Sequence, residues 1–165
     1  INNFQSAGGG DTIDISEGGL NAFQADGSTD IVLIDIDNNH AAVGAGSVIF
    51  TTVTGVVDFD DTNADANVLV LNSDIASETA LATSLRIGGT HEVTVVDFDD
   101  NEAFLVLWDD GTNSYLSTVA NTLGDVADND TLTGAEVTID TFITFNGVSD
   151  CSTITTADLG TAIIA

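Results

Sequence analysis

The sequence predicts a mainly β protein, built as an antiparallel β-sandwich or as β-roll-like sheets with one or two short helices. Three observations carry that prediction. Short runs rich in Val, Ile, Thr and Phe recur along the chain, and clusters of Gly, Asn and Asp separate them. The segment HEVTVVDF, DDNE, AFLVLWDD, GTN, SYLSTVAN reads as three strands joined by short polar turns, an antiparallel meander. Hydrophobic residues make up 43% of the 165, enough for a real core despite the extreme charge.

In chain order, strands are expected near 12–15, 30–36, 47–59, 68–71, 91–98, 103–108, 114–119 and 137–145. One helix interrupts them. Asn72-Ser73-Asp74 offers an N-cap, IASETALATSL has little β character, and Gly88-Gly89 supplies a stop. A weaker helical turn is expected over Ser152 to Leu159. The whole chain, 1–165, is read as a single all-β domain, with a division into 1–72 and 90–165 around the helix at 73–87 as the alternative.

Charge narrows the partners. Twenty-seven acids face one base, Arg86, for a formal charge of −26. No basic patch exists to neutralise phosphates, so nucleic acid and anionic membrane surfaces are excluded as partners. No apolar run approaches the roughly 20 residues of a membrane-spanning helix, so membrane insertion is not expected. Of the acids, 22 are Asp and 5 are Glu. A solvating surface can use either, whereas short Asp side chains suit turns and tight cation cages.

The block VVDFDD occurs at 56–61 and again at 95–100. On a strand Val57 and Phe59 share one face while Val56, Asp58 and Asp60 share the other, and Val96 and Phe98 oppose Val95, Asp97 and Asp99. Hydrophobic residues then turn inward and acids collect at the strand end. Carboxylates two residues apart have bases about 7 Å apart and can converge on a cation whose oxygens lie roughly 2.3–2.6 Å away. Three places carry the alternating acid and amide spacing that opens many calcium loops: Asp35-x-Asp37-x-Asn39, Asp61-x-Asn63-x-Asp65 and Asp97-x-Asp99-x-Asn101. With Asp58, Asp60 and Asp100 these are the candidate metal ligands. None has the Gly and Glu positions of an EF-hand, and each also reads as a solvated, Asp-capped turn. Ca²⁺ is the expected cofactor, because Mg²⁺ wants a stricter octahedron and transition metals want His or Cys.

The opening INNFQSAGGGDTIDIS resembles the segment that follows the glycine-rich nonapeptide array of bacterial RTX (haemolysin-type calcium-binding) proteins. FLVLWDDGTNSYL and ITFNGVSDCSTITTADLGTAIIA are similar to carboxy-terminal regions of such proteins, including surface-layer and adhesive members. The resemblance implies type I secretion, calcium-dependent folding outside the cell and a place at the end of a larger surface or matrix protein. Only Gly8-Gly9-Gly10-x-x-x-Asp14 hints at a nonapeptide, so the calcium roll itself is not in this chain.

An enzyme is not expected. GxSxG, HExxH, GxGxxG and P-loop motifs are absent. His40 and His91 stand in polar, turn-like contexts that fit surface or structural roles. Cys151 has no neighbouring base and reads as a passive thiol. Arg86, at the helix end, is expected to pair with an Asp. Two functions follow: a secreted, extracellular calcium-binding building block of a surface layer, filament or matrix, or a monomeric calcium-stabilised cap bearing a secretion signal. The building block would self-associate into a homo-polymer through sheet edges, with VLIDID and FLVLW as candidates, or through calcium bridges.

Overall fold

The computed structural model describes residues 49–59, 66, 68–95, 98–122, 124, 126 and 130–159, together with the backbone of 15–16, 32–33 and 163–164. The fold is mainly β. Strands run β1 (Ile15–Ser16), β2 (Val32–Leu33), β3 (Phe50–Val53), β4 (Val57–Asp58), β5 (Val68–Asp74), then helix α1 (Glu78–Leu85), β6 (Val93–Thr94), β7 (Glu102–Asp109), β8 (Ser114–Asn121), β9 (Val137–Phe145) and β10 (Ile163–Ile164). A 3-10 turn covers Cys151–Thr153, overlapping the start of the region where a weak helical turn is expected.

The central sheet has the order β3-β5-β7-β8-β9, with β2 paired to the start of β7. From β7 to β9 it is antiparallel, with Ala103 opposite Ala120 and Asp109 opposite Ser114 at the ends of the β7–β8 ladder. Of the meander expected from the sequence, AFLVLWDD and SYLSTVAN do pair, as β7 and β8, whereas HEVTVVDF supplies β6, which pairs in parallel with β4 in a separate sheet; the third strand of the antiparallel part is β9. From β3 to β7 it is parallel, where the sequence predicts antiparallel sheets. The reason is visible in burial. Val68, Val70, Ala103, Leu105 and Leu107 belong to a core on one face, and Leu69, Leu71, Phe104, Val106 and Trp108 to a core on the other. Strands apolar on both faces suit the covered interior of a parallel sheet. Helix α1 lies on the crossover from β5 to β7, the connection that a parallel pair demands.

The first face is closed by Cys151, Ile154 and Leu159. The second is closed by Leu81 and Leu85 of α1, by Val57 and Phe59, and by Val93, Val95 and Phe98. The sheet is therefore the middle of three layers.

Two expectations are corrected. The run at 47–59 divides into β3 and β4 around Thr54 and Gly55. Asn72-Ser73-Asp74 is not the helix cap but the end of β5, because Asp74 stays in the ladder opposite Asp109 and Ile75 N–H donates to the Asp109 carbonyl at 2.7 Å. Ser77 caps the helix instead, its hydroxyl accepting from Ala80 N–H at 3.2 Å, with Glu78 in the first turn where the helix dipole favours an acid. The stop at Gly88-Gly89 stands. A Cβ at Gly89 would lie 2.1 Å from the Ser84 carbonyl oxygen, so only glycine lets the chain return this closely over the last turn.

Candidate functional site

The two VVDFDD blocks lie on the same side of the sheet but are not equivalent. β4 and β6 pair in parallel, Val57 opposite Val93 and Asp58 opposite Thr94, a separation of 36 positions rather than the 39 of the repeat. In the first copy the alternation holds: Val57 and Phe59 are buried and Val56 is 65% exposed. In the second copy Val95, expected on the outward face, is fully buried and continues the inward face of Val93. Phe98, three positions on, is buried as well and bridges antiparallel to Val126, so strict alternation does not carry from Val95 to Phe98. Both phenylalanines nonetheless reach Phe104, Phe59 edge-on at 5.2 Å and Phe98 tilted at 5.8 Å between ring centres.

Among the candidate ligands, Asp99, Asp100 and Asn101 share one turn leading into β7, with Asp99 and Asp100 exposed. The turn is tightly bonded. Glu102 N–H donates to the Asp99 carbonyl at 3.1 Å, the Glu102 carboxylate accepts from Asp99 N–H at 2.7 Å, and Asn101 adopts a left-handed φ of 71°. Asn121 anchors it from β8, donating from Nδ2 to the Phe98 and Gly124 carbonyls, each at 2.6 Å. The Asp99 and Asp100 carboxylates thus project from a fixed backbone and offer the oxygens that a hard cation requires. Asp58 is half-buried in β4, opposite Thr94 of β6. Asp35, Asp37, Asn39, Asp60, Asp61, Asn63, Asp65 and Asp97 lie outside the described residues. Among the described residues no three His, Cys, Asp or Glu side chains are grouped to hold a metal ion.

A second acidic place, missed from the sequence, forms where β7 turns into β8. The Asp110 carboxylate caps the turn, Oδ1 accepting from Thr112 and Asn113 N–H at 2.8 Å, and Oδ2 takes the Tyr115 hydroxyl at 2.7 Å. That bond holds the Asp110 carboxyl below its ordinary range and pushes the Tyr115 phenol up. Tyr115 stacks on Trp108 at 4.4 Å and 24°, so the chain's only Tyr and only Trp are joined. Trp108 is buried, and its indole N–H donates to Ser117, whose hydroxyl meets Thr141 at 2.8 Å. A groove beside the pair is lined by Ser77, Glu78, Asp110, Tyr115, Thr141 and Thr144. The string WDDGTNSY held the signal: an aromatic on each strand flanking an Asp-Gly turn.

Asp109, one residue earlier, is buried and turned the other way. Its Oδ2 accepts from Cys151 N–H at 3.0 Å and Oδ1 from Gly111 N–H at 3.1 Å, tying the 3-10 turn to the sheet. The Cys151 thiol is sealed against the Leu71 carbonyl, and burial followed by the Asp109 carboxylate drives its pKa far upward. A thiol so protonated is a poor nucleophile. Of the surface and structural roles expected for His91, the structural one fits: the ring is buried, its Nδ1 2.7 Å from Ser84 Oγ and its Nε2 3.2 Å from Ser73 Oγ, joining α1 to β5. Burial lowers its pKa. His40 lies outside the described residues. Arg86, expected to pair with an Asp, is exposed, and among the described residues no ion pair joins it to a carboxylate.

Comparison of the chain with protein-family models, with curated proteins and with solved structures gave no match.

Proposed function

We propose that this chain is a non-enzymatic, secreted calcium-binding structural protein that serves as a building block of an extracellular assembly, such as a surface layer, filament or matrix. The observation that carries the reading is the turn at Asp99-Asp100-Asn101: a backbone fixed by Glu102 and Asn121, with two exposed carboxylates at its tip, in a chain of −26. Hard cations are bound by such oxygen donors. The resemblance of the opening segment to RTX proteins supports the same direction. Subunits that carry so large a like charge repel one another, so assembly requires a divalent cation to neutralise them.

Sedimentation velocity and electron microscopy in millimolar Ca²⁺ and in EDTA test the reading. Assemblies form with Ca²⁺ and disperse with EDTA. A chain that stays monomeric at every calcium level is instead a calcium-stabilised cap. In both cases Ca²⁺ raises Tm, because a ligand bound only by the native state stabilises by RT ln(1 + [L]/Kd). Replacing Asp99 and Asp100 together by Asn shrinks that rise, and a Tm indifferent to Ca²⁺ and EDTA defeats the calcium reading.

A further inference from the structure

Helix α1 carries opposite charge at its two ends. Glu78 is its first residue and exposed; Arg86 follows its last, also exposed, and is the one base among 27 acids. The Arg86 stem is laid over Gly134, where an added Cβ would stand 3.3 Å from the arginine Cδ, so the absence of a side chain there seats it. Beside it Ile87 is 62% exposed, an apolar flank to the cation. At the other end, Glu78 and Asp110 share their groove with the Tyr115 ring and the hydroxyls of Ser77, Thr141 and Thr144. A guanidinium is suited to such a place: it forks onto carboxylates and stacks on aromatic rings in ways an ammonium does not. Roughly 12 Å of helix separates Arg86 from Glu78, beyond the reach of one side chain, so the cation cannot fill its own groove.

We infer that Arg86 of one copy docks into the Glu78, Asp110 and Tyr115 groove of a second copy, a head-to-tail contact between the two ends of α1. The inference rests on the self-assembly proposed above and names the surface that directs it. The two halves of the contact are different patches of one chain, so each subunit accepts one neighbour and offers itself to another. Such a contact grows into an open polymer unless the rotation closes a ring. Calcium relieves the general repulsion, and the arginine supplies register.

The test is the concentration at which assembly begins in millimolar Ca²⁺, read by sedimentation velocity for the full chain and for variants whose Tm matches the parent. Arg86→Glu and Glu78→Arg are each expected to raise that concentration at least tenfold. The double reversal Arg86→Glu with Glu78→Arg restores it to within about threefold, because the pair is remade with its charges exchanged. Arg86→Lys, which keeps the charge and loses the fork, falls between. If the parent assembles and Arg86→Glu assembles equally well, the docking contact is refuted while the building-block reading stands. If the double reversal is as defective as the single changes, direct pairing is refuted. A parent that never assembles removes both. Should Arg86→Glu fail to fold, Glu78→Gln probes the same contact from the opposite end of the helix, and assembly unchanged from the parent refutes it.

Discussion

The two VVDFDD copies have the same six residues and different fates. The first keeps strict alternation, with Val57 and Phe59 in the core and Val56 in solvent. The second buries Val95 as well as Phe98 and ends in the Glu102-bonded turn. A six-residue string does not choose its own face; the neighbours do. β6 enters the second copy already in phase with Val93, whereas the first copy is entered through the break at Thr54 and Gly55. What the copies share is Phe104, against which both place a phenylalanine.

Removing that shared residue gives the largest effect. Phe104→Ala is expected to cost about 3–5 kcal/mol in urea denaturation, since it opens a cavity beneath both copies. A cost below about 1.5 kcal/mol contradicts the common anchor. Next come double-mutant cycles of Phe59→Leu and of Phe98→Leu, each against Phe104→Leu. Ring pairs of this kind couple by about 0.5–1.5 kcal/mol, and the edge-on Phe59 pair should exceed the tilted Phe98 pair. Equal coupling erases the geometric difference between the copies.

A third contrast is pH. The second copy follows the buried His91, whereas no His stands among the described residues that lead into the first. Because the folded-state pKa of His91 lies below its unfolded value, the unfolded chain binds more protons in that interval. Stability is full above about pH 6.5 and falls as pH drops toward the folded pKa. Urea midpoints from about pH 7.5 to 5 should decline in the parent and decline less in His91→Gln; identical slopes remove the assignment. The smallest effect belongs to Val56→Thr on the exposed side of the first copy, within about 0.5 kcal/mol of the parent.

The β7–β8 hairpin is legible in the sequence because it is local: its strands run apolar and the turn between them carries Asp, Gly and Asn. The strand expected before it, HEVTVVDF, pairs with β4 instead, a partner that its own residues do not name. The parallel half is not legible either, since nothing in VLVL or AFLVLW states which strand lies beside it. A helix between two such runs is itself the mark of a parallel crossover, so IASETALATSL is a connection within the sheet rather than an interruption of it. The cap expected at Asn72-Ser73-Asp74 gives way to a partner 35 positions along the chain, where Asp109 holds Asp74 in the ladder. Sequence leaves His91 between a surface and a structural role because its partners, Ser73 and Ser84, come from other elements. Asp110 and Tyr115 flank one turn, yet in a chain with 22 Asp residues a single carboxylate carries little signal.

The exposed Arg86 has a further consequence for how the chain can be divided. It offers the single bond that a trypsin-like protease recognises, and it lies on the crossover between two strands that are neighbours in the sheet. Cleavage there would leave β3, β5 and α1 on one fragment and β7, β8 and β9 on the other. The nick cuts the peptide link but none of the β5–β7 hydrogen bonds, so the fragments should remain together as a nicked, folded whole. Separated in denaturant, they become a split protein whose halves recover structure only by finding each other.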